Sequence, residues 1–128
     1  MNIYNVLLVG AGGFIGSIAR YLAVVNVDKR FNSVIPYGTL TVNLAGSFLL
    51  GLILAMAMKK TGVTSDQWKL FLGTGFCGGF TTYSAFAFEN LNMFEQKYPG
   101  SAMIYIMISL AGGIMAVWAG VLLGRALG

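Results

Sequence analysis

Residues 73–90 read GTGFCGGFTTYSAFAFEN, and the reading of this stretch decides the fold. It lies inside an apolar segment from about residue 68 to 94, long enough to cross a bilayer as a helix. The middle of that segment, Gly78-Gly79-Phe80-Thr81-Thr82, is poor helix material. Two adjacent glycines cost roughly 1 kcal/mol each against alanine, and two β-branched threonines add a smaller penalty. Threonine hydroxyls also bond backbone groups locally and compete with the helical ladder. Two readings follow. One is a glycine face for close packing, with the hydroxyls bonded back one turn. The other is a break near the bilayer midplane, which membranes tolerate only where protein buries it or a polar cavity receives it. Backbone groups presented by such a break suit an ion. Tyr83 and Phe86 are three apart and share a face, with Asn90 seven beyond Tyr83 on the same stripe. Two aromatics and an amide leading away from the glycines favour the break, with the stripe as the wall of a passage.

Composition places this segment in a membrane. The 128 residues are 57% hydrophobic and 9% charged, where a soluble domain carries roughly a quarter charged residues. Mean hydropathy is +0.77. A buried soluble core fails for want of polar surface. The expectation is one all-α membrane domain over residues 1–128 with four crossings, at about 3–25, 37–58, 68–94 and 102–127. Histidine is absent, which removes the usual metal ligand and neutral-pH proton carrier. The single cysteine, Cys77, allows no intrachain disulfide. No catalytic constellation survives, so an enzyme is not expected. The excess of four positive charges reflects few charges in all rather than a basic patch, so nucleic acid is not an expected partner.

The other crossings carry their own faces. Near the start, VLLVGAGGFIG imitates a dinucleotide-binding turn, but its glycines at 10, 12 and 16 miss the G-x-G-x-x-G spacing. Gly12 and Gly16 instead form a GxxxG packing surface. Arg20, late in the first crossing, is either a snorkelling anchor or an entrance charge for anions. Thr39, Asn43 and Ser47 recur every four residues in the second crossing as a polar stripe, read as a pathway in preference to interhelical glue. Trp68 and Lys69 read as an interfacial anchor. Glu89, toward the far end of the third crossing, is either interfacial and solvated or hydrogen-bonded to another helix. After a turn at Tyr98-Pro99-Gly100, Tyr105 and Ser109 continue a stripe begun at Ser101, with Gly113 in register. Ala116, Gly120 and Gly124 form a small-residue face.

The polar groups on these stripes, Thr39, Asn43, Ser47, Tyr83, Ser84, Tyr105 and Ser109, are all uncharged. Hydroxyls and amides donate to an anion without trapping it, and the electropositive edge of Phe86 can face one as well. Four crossings put both termini on one side. Lys59, Lys60, Lys69 and Arg125 then lie on that side, and Arg20, Lys29, Arg30 and Lys97 lie opposite. With no imbalance to set orientation, the chain should insert both ways, which permits an antiparallel two-fold dimer.

The segment GFCGGFTTYSAF resembles the third-helix signature of the Fluc (CrcB) fluoride channels, a GxCGGxTTFSTF-like core. The resemblance extends to GxxGSIARY at 13–21, to the TxxVNLxG pattern around Asn43, and to the length and four-span layout. It implies a fluoride-selective passive channel exporting fluoride across the cell (inner) membrane, with two pores in a dual-topology antiparallel homodimer. It further implies a structural Na⁺ at the dimer interface, held by carbonyls that fall on Gly78 and Thr81. The implied pore residues are Asn43, Tyr83, Phe86, Tyr105 and Ser109, with Ser84 beside them, and Arg20 matches a family arginine. Three positions depart from the pattern: Tyr83 where the family has Phe, Ala85 in place of Thr, and Gly113 where a third polar residue is expected.

The competing reading is a small proton-coupled multidrug exporter, also four-span and often of dual topology. Such a transporter needs a titratable group in the membrane, and Glu89 is the sole candidate among four acids. A non-conducting scaffold would explain the glycine faces but not three aligned polar stripes.

Overall fold

The computed structural model describes residues 2–58 and 63–127, so Lys59, Lys60 and the start of the second loop lie outside the described residues. Within them every element is helical. Helix α1 spans Ile3–Asp28 and α2 spans Tyr37–Met58. The third crossing is assembled from α3 (Val63–Trp68), a π-helical segment (Lys69–Cys77), α4 (Gly78–Phe80) and α5 (Ser84–Glu95). Helix α6 spans Pro99–Leu127. Three helices, α1, α2 and α6, are long and apolar enough to cross a membrane unaided. The helices overrun the sequence-based spans by a few residues at the loop ends. Local chemistry sets those ends.

Asn2 caps α1, its side-chain oxygen accepting from the Tyr4 N–H at 2.9 Å. At the other end Asp28 reaches across the first loop and accepts from the Gly38 N–H at 2.9 Å, satisfying an orphan donor in the first turn of α2. A Cβ at Gly38 would stand 2.7 Å from that carboxylate oxygen, so glycine is what allows the cap. The α5–α6 connection is a Schellman-type end. Lys97 takes a left-handed φ of 66°, its N–H bonds the Phe94 carbonyl, and the Tyr98 N–H bonds the Met93 carbonyl. Pro99 then opens α6, where its missing N–H costs nothing. The sequence places Pro99 in a turn; in the structure the proline is the first residue of the helix.

Glycines seam the crossings into two parallel pairs. A Cβ at Gly12 would collide with the Phe71 carbonyl, and one at Gly16 with the Phe76 carbonyl, so α1 lies directly on the π segment and α4. Gly75 and Gly79 answer from the other side against Val9 and Gly13. In the second pair, Gly120 faces the Phe48 carbonyl, Gly124 faces Ala55, and Gly51 faces the Val117 carbonyl, joining α2 to α6. In lipid, where apolar burial drives little association, such backbone approach is what dispersion needs. A small core of Met93, Ala102 and Tyr105, backed by Ile35, Leu40 and Phe86, closes the end near α5.

Candidate functional site

The break does not fall where helix propensity is poorest. Gly78 and Gly79 are α-helical, and Gly79 is spent on packing against Gly13. The chain leaves the helix at residues 81–83, where Thr81 has ψ 161°. What holds it open is a side chain from another crossing. The Thr82 N–H donates to Asn43 Oδ1 at 2.7 Å, and Asn43 Nδ2 donates to the Thr82 carbonyl at 3.0 Å. An amide carries one acceptor and one donor side by side, so asparagine matches both groups of a single residue's backbone.

At the break, two backbone N–H groups turn from helical carbonyls to side-chain oxygens, and the Gly78 and Thr81 carbonyls lose those donors. The Thr82 N–H, which an unbroken helix would direct to the Gly78 carbonyl, is taken by Asn43. The Ala85 N–H, which would serve Thr81, goes to Thr82 Oγ1 at 3.2 Å. Thr82 thereby caps the start of α5, and a threonine three residues ahead of the first α5 amides was the available sequence signal for it. Thr81 bonds back one turn, its hydroxyl to the Cys77 carbonyl at 2.9 Å, so both of the sequence readings for the threonines occur, one at each.

The break opens onto a groove of about 540 Å³ between α2, the third crossing and α6. Asn43, Ser47, Thr82, Tyr83, Phe86 and Ser109 supply its polar and aromatic lining, Leu50, Leu54 and Leu110 its apolar wall, and among the described residues no charged side chain takes part. Gly78 and Thr81 also line it. Tyr83 is 80% exposed, with its ring 6.2 Å from that of Phe86. Ser109 Oγ is buried without a hydrogen-bond partner among the described residues. Thr74 and Cys77 join the lining too; an exposed threonine and a small buried thiol three residues apart on the π segment gave no periodic signal in sequence, because the π period is not the α period.

Other nominated residues fall elsewhere. Tyr105 is fully buried, its ring 5.1 Å from Phe86, and it is not part of the groove lining. Its hydroxyl donates to Glu89 Oε1 at 2.9 Å, while Thr39 Oγ1 donates to Oε2 at 2.7 Å. Glu89 is thus the hydrogen-bonded carboxylate of the two sequence alternatives, tying α5 to α2 and α6. The stripe Thr39, Asn43, Ser47 divides its work. Thr39 holds Glu89 and Asn43 holds the break, so only Ser47 keeps its hydroxyl for the groove. Asn90 leaves the passage wall altogether; it is 7% exposed and its Nδ2 bonds back to the Phe86 carbonyl at 2.8 Å. Ser84 is exposed and 3.5 Å from Thr82 Oγ1. Arg20 is partly buried, and its Nε has no partner among the described residues. Trp68 stands edge-on to Phe71, and Lys69 pairs with Asp66 at 3.4 Å.

Comparison with known proteins agrees along nearly the whole chain. The family model described as CrcB-like protein, Camphor Resistance (CrcB) matches residues 7–121. A fluoride-specific ion channel FluC of Caulobacter sp. (strain K31) is 42% identical over 121 residues, 94% of each chain. Another of that name from Chlorobaculum tepidum is 44% identical over 125 residues, 98% of each chain. One from Agrobacterium fabrum is 43% identical, covering 94% of this chain and 96% of its own.

Proposed function

The chain belongs to the CrcB-like family, and from that premise we propose that it is a fluoride-selective channel through which fluoride leaves the cell passively. It is a channel, not an enzyme, and a multi-pass membrane protein. The observation that carries the proposal is the break at residues 81–83, held by Asn43 and opening onto a groove whose polar lining is entirely neutral. A small hydrated anion needs donors strong enough to replace water and weak enough to release it. Serine hydroxyls and the edge of Phe86 meet that requirement, where a buried Lys or Arg would hold the ion. The exporter reading loses ground here, because both oxygens of Glu89 are engaged by Thr39 and Tyr105.

The finer reading is an antiparallel homodimer of dual topology in the inner membrane, with two pores and a structural Na⁺ between the subunits. The four-to-four cation balance supports both orientations. The Na⁺ would sit on the Gly78 and Thr81 carbonyls. Their fit is chemical: both have lost their helical donors and both line the groove, and neutral oxygen suits a hard cation. When bound, the ion would fix a positive charge between the two broken crossings. In the fluoride path, Ser109 keeps its hydroxyl free, while Tyr105 acts from behind Phe86 through Glu89. Arg20 serves at the entrance or as an anchor.

The test is fluoride release from liposomes holding purified protein, with chloride for comparison. Fluoride release without chloride release is expected; equal rates, or a strict need for a proton gradient, would falsify the channel. Tags on both termini should be accessible from both sides of the membrane, and a single orientation would remove the dimer proposal.

A further inference from the structure

Three aromatic rings form a ladder from the groove into the protein: Tyr83, then Phe86 at 6.2 Å, then Tyr105 at 5.1 Å. The two phenols at its ends have opposite situations. The Tyr105 hydroxyl is buried and committed to Glu89 at 2.9 Å. The Tyr83 side chain is 80% exposed in the groove lining, and its hydroxyl has no hydrogen-bond partner among the described residues.

Building on the fluoride-channel reading, we propose that the Tyr83 hydroxyl is a fluoride contact that raises the affinity of the groove above what a ring edge alone provides. A phenol is a better donor than an aliphatic alcohol, and fluoride is a strong acceptor. Position adds to chemistry. Tyr83 directly precedes α5, a 12-residue helix whose N-terminal end carries partial positive charge. An anion at the hydroxyl therefore lies beside a favourable dipole, with the uncharged groove around it. The consequence is a trade within conduction: a deeper site fills at lower fluoride but empties more slowly.

Full-length wild type and Tyr83→Phe, purified alike, can be compared in liposomes by initial fluoride efflux against internal fluoride concentration. The variant should need about ten- to a hundredfold more fluoride for half-maximal rate, the scale of one hydrogen bond to a charged group. Its maximal rate should equal or exceed that of wild type, its melting temperature should match, and chloride should stay excluded. Unchanged half-saturation would overturn the proposal while leaving the channel intact. So would a lower maximal rate at unchanged half-saturation, which belongs to ring placement, or a lower melting temperature, which gives the hydroxyl a structural partner. Failure of the wild type to pass fluoride would overturn the channel reading and this contact together.

Discussion

Helices α2 and α6 lie side by side without interruption, whereas the third crossing changes its hydrogen-bond period at Lys69 and stops at residue 81. Both regions are rich in glycine, and both use it for backbone approach: Gly51, Gly120 and Gly124 in one, Gly75 and Gly79 in the other. Glycine therefore does not make the break. The difference is that Asn43 offers the Thr82 backbone a complete substitute for its helical bonds, while nothing comparable faces α6. In lipid an unbonded backbone group costs several kcal/mol, so a helix opens only where another partner stands ready.

That comparison can be broken first at the continuous pair. Gly120→Val drives a branched side chain into the Phe48 carbonyl, a backbone group that cannot step aside. The overpacking should remove at least 1–3 kcal/mol and most folded protein, read as loss of a monodisperse peak on gel filtration. Gly78→Ala is the control, because a Cβ there meets nothing within 4 Å; it should fold as well as wild type.

Asn43→Leu attacks the other side of the comparison. Two hydrogen bonds go and both Thr82 backbone groups lose their partner, a loss of about 2–4 kcal/mol on thermal unfolding. Fluoride flux should fall at least tenfold, the equivalent of roughly 1.4 kcal/mol in rate. A variant with native stability and flux would show that the break is held by something else.

Phe86→Ile leaves both pairs intact and removes a ring that touches Tyr83 and Tyr105. Flux should drop by about tenfold as the ring edge is lost, with the protein still folded. The smallest effect is expected at Glu89→Gln. Thr39 and Tyr105 keep an oxygen to donate to on one side only, so stability should fall by about 1 kcal/mol, read by melting, while passive fluoride flux persists.

Much of this was legible in the chain. Four crossings, a fault in the third, and the glycine faces of α1 and α6 follow from hydropathy and from spacing at three and four residues. The position of the fault followed in part: Thr81 and Thr82 lie in the stretch of poor helix formers, but Gly78 and Gly79 stay helical, and the deciding partner, Asn43, is 39 residues away. Spacing also overstated the polar stripes. It places Thr39, Asn43 and Ser47 on one face but cannot say which neighbour each one meets, and two of the three are taken up by Glu89 and Thr82. The π segment had no signature that spacing at three and four residues could reveal, since its hydrogen bonds follow a different period.

The bond from Gly38 to Asp28 spans ten residues and closes the first loop using nothing beyond the first two helices. The third crossing has no such independence, for its open turn is completed only by α2. Synthesis from the N-terminus therefore imposes a sequence of events. The α1–α2 hairpin can close its loop as soon as both helices are in the bilayer, and it then waits as a template, with Thr39 and Asn43 ready for Glu89 and Thr82. A third crossing that arrived without it would keep its helical ladder unbroken, and the channel's defining interruption would be written only on contact. Chains lacking residues 1–58 should thus show, by amide hydrogen exchange, protection at Thr82 and Ala85 continuous with the rest of the crossing; exchange-labile amides there would mean that the turn opens unaided.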